Sequence, residues 1–278
     1  MTASTSAAES RTTAASGDLF RQIAVLVSSV LAIVAAFIGS GVLGGTPIQE
    51  ASGGFLDADS TLIAPGTGAF RIWSVIYTGM LAYAIWQALP GQRHDERQRR
   101  IGWWVLASLV LNAVWIGVVQ ADLLYLSLPV IVALLAVLCY LFVLLRRSTP
   151  KNRIEAVVAD GAIGLYLGWV IIATAANATA ILVAAGFDGF GLPAEVWSVI
   201  VLAVAAVIGV ALALWGGGRI APATSLSWGI AWVAVARITD EPASTVTGVA
   251  AVVAAAVVIA GTAFARVRHD RAKALARG

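Results

Sequence analysis

Charged residues in this chain come in clusters. Between the clusters lie eight uncharged intervals, 22–49, 72–92, 101–121, 123–145, 161–187, 196–218, 220–236 and 242–265. A helix rises about 1.5 Å per residue, so about 17 to 25 mainly apolar residues cross roughly 30 Å of hydrocarbon. The intervals are continuously apolar rather than alternating, which selects helices over a transmembrane barrel. The seventh carries Pro222 near its start, where the missing N–H costs least. Only 12% of the 278 residues are charged, against roughly 25% in soluble domains, too few to clothe a water-soluble fold. The expected fold is an all-α integral membrane protein with about eight transmembrane helices.

Lys and Arg fix the expected orientation. With the N-terminus inside, the inner segments hold 16 of the basic residues, from Arg11 and Arg21 through the Arg93–Arg100 group to the tail. The outer segments hold 2, Arg71 and Arg237. Acidic residues share no such bias. The chain is therefore read as multi-pass with both termini cytoplasmic. Its net charge of +3 calls for no nucleic-acid partner, because topology and anionic headgroups account for the basic loops.

Residues 1–19, rich in Ser, Thr and Ala, read as a flexible tail that lacks a signal-peptide pattern. Residues 266–278 read as a basic cytoplasmic tail. Cys139, alone and mid-membrane, points to packing rather than reactivity. The loop 44–70 is long for a compact bundle, which makes it either a functional cap or disordered. Asp160, at an inner boundary among polar neighbours, is expected to be solvated.

Ten tryptophans exceed what the two interfacial belts absorb. The belts account for Trp73 and Trp197 at outer ends, and for Trp86, Trp103, Trp104 and Trp215 at inner ends. Trp115, Trp169, Trp228 and Trp232 lie deeper, where core packing and cavity lining are both open. Asn112 and Asn177 fall about 15 Å below their boundary charges, near the midplane, where an unpaired amide is expensive. Trp115 shares the face of Asn112 in LNAVW. Tyr166, Trp169, Ala173 and Asn177 form a stripe in YLGWVIIATAAN, and Trp73, Tyr77 and Met80 another in FRIWSVIYTGM. The amides either glue helices together or face a shared pocket with the aromatic stripes. Gly164 and Gly168, spaced G-x-x-x-G, allow close helix contact, a homodimer included.

Three of these motifs together, WSVIYTGM, LNAVW and YLGWVIIATAAN, resemble the TspO/MBR proteins, the tryptophan-rich sensory proteins of bacteria and the mitochondrial translocator protein. The resemblance covers about residues 20–187, and longer bacterial members carry extra C-terminal helices, as residues 188–265 would here. It implies a five-helix bundle in a bacterial inner membrane, with three helices added. It further implies a pocket for a tetrapyrrole such as porphyrin or haem, or for a sterol-like molecule, with no cofactor required. Carried over position by position, the pocket residues are Trp73, Tyr77, Asn112, Trp115, Tyr166, Trp169, Ala173 and Asn177. The chain departs from the family at IGVV after Trp115 and at Gly164–Leu165 before Tyr166, where the family places Pro.

Two function classes follow, a binding or sensory protein for a flat lipophilic molecule and a facilitator that moves one. Ion coupling is disfavoured, since no ionisable residue lies clearly within a span. His94 and His269 both sit in basic segments, so no His-based catalytic or metal site forms at depth. An enzyme is not expected, with porphyrin breakdown the residual exception.

Overall fold

The apolar runs end where capping residues and glycines fall. A computed structural model describes residues 2–276, with side chains from Gly17 onward. Eight long helices make up the fold: α1 Thr2–Gly39, α2 Ile72–Ala88, α3 Glu96–Gln120, α4 Leu124–Arg146, α5 Arg153–Ala184, α6 Ala194–Gly216, α7 Ile220–Thr239 and α8 Thr245–Leu275. Among the described residues there is no strand.

Local chemistry sets several of these bounds. Asp95 caps α3 by accepting the Gln98 N–H at 2.8 Å, with Glu96 in the first turn favouring the helix dipole. Burial works to raise the Asp95 pKa, but the Lys151 ammonium and that N–H hold it below its ordinary value. Asn152 and Ser244 cap α5 and α8 in the same way. The first helix stops ten residues before the uncharged interval does. Gly41 and Gly44 adopt positive φ, and Pro47 follows.

Most of the segment read as a tail, residues 1–16, lies outside the described side chains. Asp18, counted with that tail, is buried against Arg21 and Arg99. At the other end α8 continues as helix to Leu275, and residues 277–278 lie outside the description.

The first five helices close a ring in the order α1–α2–α5–α4–α3, with α3 returning to α1. Helix α7 packs on α5, and α8 packs on both α7 and α6. Six of the eight are long and apolar enough to cross a bilayer on their own. The other two fall short for different reasons. Helix α2 has only 17 residues and sits between α1 and α5. Helix α7 carries two serines and Arg237, and 11 of its 20 residues are buried. A helix largely covered by protein need not satisfy lipid with its own side chains, so α7 tolerates a more polar sequence.

The close contact that Gly164 and Gly168 allow is made within the chain. A methyl group at Gly168 would come within 2.0 Å of the Pro222 carbonyl oxygen on α7, and one at Gly164 within 2.9 Å of Ala221. Cys139 is exposed on α4, so it does not pack in the bundle interior as expected.

Asp160 departs from its expectation as well. Residues Ala156–Gly161 form a π-helical turn within α5, and the Asp160 side chain is only 13% exposed. It bridges Arg97 at 2.7 Å and Arg219 of the α6–α7 turn. Arg97 also binds the fully buried Glu155 at 2.9 Å and donates to Ser148. Gln98 donates to the same Glu155 oxygen and accepts from Tyr83. Sequence placed no ionisable group clearly within a span because each of these charges looks terminal when read alone. Folded, they neutralise one another.

Candidate ligand cavity in the membrane bundle

Three helices build the cavity. From α2, Trp73 and Tyr77 are one turn apart and stack with ring centroids 5.0 Å apart and planes 21° from parallel, an arrangement worth about 0.5–1.5 kcal/mol beyond area burial. From α3, Asn112 donates its amide N–H to the Tyr77 hydroxyl at 2.8 Å. Helix α1 supplies Ile33, Ala36 and Phe37. Together with Trp115 these groups surround about 480 Å³, within the usual range for small-molecule sites. Ser74 and Thr78 on the rim are exposed, so the cavity opens laterally between helices.

The α5 stripe is divided from this space. Tyr166 is buried behind Trp73, edge-on at 5.8 Å, and its hydroxyl donates to the Ser108 carbonyl at 3.3 Å. Trp169 also meets Trp73 edge-on. Trp169, Ala173 and Asn177 instead line a smaller void of about 60 Å³. Phe70 and Trp115 border both spaces and form the partition. The Trp115 indole N–H donates to Asn177 Oδ1 at 3.0 Å, and the Asn177 amide donates to Ser127 at 2.8 Å. Of the eight sequence-selected residues, Trp73, Tyr77, Asn112 and Trp115 therefore meet in the larger cavity. Trp169, Ala173 and Asn177 meet across the partition, and Tyr166 packs.

The two midplane amides thus take different roles. Asn177 is mainly interhelical glue, whereas Asn112 holds a phenol at the cavity wall. Among the described residues the buried Trp169 indole N–H has no hydrogen-bond partner, an arrangement that costs about 1–3 kcal/mol unless an acceptor arrives. Phe70 escaped the sequence reading, although it lies three residues before Trp73 on the same helical stripe. Ile48, which borders both spaces from the loop, and Ser127 carried no signal, because both act through chain segments distant in sequence.

The loop 44–70 is ordered over the smaller void, where Phe55, Leu56 and Ala64 reach it. It is tied down at Ser52 and at Ala58. Ser52 binds Asp122 and the Val119 carbonyl, and Arg237 donates to the Ala58 carbonyl at 2.6 Å. The α7 tryptophans clamp its far side. Trp228 donates to the Ala69 carbonyl at 2.9 Å, and Trp232 leaves no room for a side chain at Gly68, whose added methyl would meet the ring at 2.1 Å. These indoles hold the cap rather than line the cavity. Trp232→Ala is expected to speed backbone hydrogen exchange across 44–70 by about tenfold or more, with α3 and α4 unchanged. Uniformly slow exchange in the loop would show that the clamp is dispensable.

An eight-helix multi-pass membrane protein with a lateral aromatic cavity in its first helices is the class these features define. The model for TSPO-like proteins matches residues 22–264. The chain belongs to that family, which is not a classical enzyme family. The match runs into α8, so most of the three C-terminal helices lies within the matched region. No curated protein and no solved structure matches the chain significantly.

Proposed function

We propose that this protein binds a flat lipophilic molecule, a tetrapyrrole such as porphyrin or haem or a sterol-like molecule, in the cavity between α1, α2 and α3. In this reading it serves sensing or ligand handling in a bacterial inner membrane, with both termini cytoplasmic. The observation that carries the reading is the stacked Trp73–Tyr77 pair facing a space of about 480 Å³ beside the amide of Asn112. Aromatic walls with a few fixed polar groups suit a flat apolar ligand that needs orienting. The 16-to-2 partition of basic residues supports the orientation. No catalytic step and no resident cofactor belong to this reading.

The test is quenching of tryptophan fluorescence by protoporphyrin IX in detergent. Ala36→Phe places a ring in the larger cavity and is expected to weaken binding by about tenfold or more, near 1.4 kcal/mol. Ala173→Leu, beside the smaller void, is expected to change it by no more than about threefold. The reverse ranking would move the site to the α5 side. Wild-type quenching in both variants would reduce the aromatic stripes to packing.

The exposed rim between α1 and α2 favours one second reading, facilitated movement of the same ligand by lateral exit into lipid. Liposomes loaded with porphyrin separate the two, because only a facilitator accelerates its release.

A further inference from the structure

At the opposite end of the bundle, where α4 and α6 finish and α5 and α7 begin, lies a larger concavity of about 810 Å³. Its charged lining is Arg146, Arg147, Arg219, Arg266 and Lys273 against Asp160 and Asp270, five cations less two anions, or +3 with His269 neutral. Both carboxylates are already engaged, Asp160 by Arg97 and Arg219, and Asp270 by Arg266 at 3.0 Å. Arg146 is held in place, its guanidinium 4.2 Å from the Trp215 ring centroid and its Nε donating to the Trp215 carbonyl. Among the described residues, the side chains of Arg147 and Lys273 have neither hydrogen bond nor ion pair, so two cations face the space unneutralised.

Membrane topology explains basic residues at this end, but not their convergence. On α8, Arg266, His269, Asp270 and Lys273 recur at helical spacing and turn into the concavity, whereas Arg268 and Arg271 on the same helix do not. The α6–α7 turn is fitted to that face. Gly217 and Gly218 have φ of 69° and 71°, and a methyl group at Gly218 would lie 2.3 Å from the Arg266 backbone. The turn also aims the start of α7 into the space, with Ile220 and Ala221 in the lining. No side chain caps that helix start, so its first N–H groups and dipole favour an anion.

We propose that this concavity binds a phosphate-bearing anion, and that its occupant is the headgroup of an anionic phospholipid from the adjacent leaflet. Its rim carries Leu214, Trp215 and Ile220, which are exposed apolar side chains. A free phosphate has no use for that rim, whereas an acyl chain lies along it. Basic pockets between transmembrane helices are suited to doubly charged lipid headgroups.

The experiment uses the full chain in zwitterionic detergent, with lipid retention read by native mass spectrometry and by Tm. The probes are cardiolipin, phosphatidylcholine and inorganic pyrophosphate. Cardiolipin is expected to be retained and to raise Tm, and phosphatidylcholine and pyrophosphate to do neither. Arg147→Gln/Lys273→Gln removes two exposed cations that make no internal contact, and should weaken cardiolipin binding about thirtyfold, about fivefold per charge. The charge-matched Arg268→Gln/Arg271→Gln should change it by about twofold at most. Equal losses in the two doubles would mean a diffuse surface field and overturn the site. Tighter binding of pyrophosphate than of lipid would overturn the lipid assignment, and indifference between cardiolipin and phosphatidylcholine would overturn both.

Discussion

Arg97→Met should destabilise the folded protein by about 3–5 kcal/mol, the usual cost of breaking a buried ion pair from one side. The Arg97 side chain is 6% exposed and makes three bonds, to Glu155, Asp160 and Ser148. Its loss falls unequally on the two carboxylates. Asp160 keeps Arg219, but Glu155, with no exposure at all, keeps only the Gln98 amide and the Lys151 N–H. A charge with that little compensation in a protein interior is the expensive outcome. The double variant Arg97→Met/Glu155→Gln removes the stranded charge and is therefore expected to recover more than half of the loss. Reversible unfolding in mixed micelles reads both values. A loss under about 1 kcal/mol for the single variant would mean that Glu155 does not depend on Arg97 for its neutralisation.

The second large effect is steric. Gly168→Leu is expected to cost about 3 kcal/mol or more, the upper end of overpacking penalties, because the obstacle is backbone. The added carbon would meet the Pro222 carbonyl oxygen at 2.0 Å and the Ser225 hydroxyl at 2.3 Å. The Ser225 hydroxyl can rotate away, but the carbonyl is part of the chain and cannot swing aside like the tip of a long side chain, so α5 and α7 must separate. Since α7 clamps the 44–70 loop through Trp228 and Trp232, the damage should spread to the cap. Gly117→Ala is the control. Nothing lies within 4 Å of its added methyl, and a helix gains up to about 1 kcal/mol from replacing Gly with Ala. Equal destabilisation by the two substitutions would show that the α5–α7 contact is not tight.

Sequence reached far where the bilayer acts on each residue alone. An apolar run of sufficient length has only one comfortable solvent, so the number and order of the helices, and their membrane character, followed from spacing. The midplane depth of Asn112 and Asn177 also followed, since depth in a helix is arithmetic. Trp73 and Tyr77 on α2, and Asn112 and Trp115 on α3, were legible as pairs sharing a face for the same reason, each pair being fixed by the helical period of its own element.

What the period of one helix cannot encode is which neighbour its face meets. Trp169, Ala173 and Asn177 share a stripe as regular as the α2 stripe, yet Phe70 and Trp115 wall them off from the larger cavity. Gly164 and Gly168 announced a close contact but not its partner, which is α7 of the same chain. Arg97, Glu155, Asp160 and Arg219 come from three separated segments, and each is costly in a dry interior until the others arrive. That mutual neutralisation is a property of distance in space. The sequence by itself therefore determined the helices and their depth, through solvation and period. Only the tertiary structure decided which side chains share a void, which share a charge, and which merely pack, because those outcomes depend on contacts between residues that no local pattern relates.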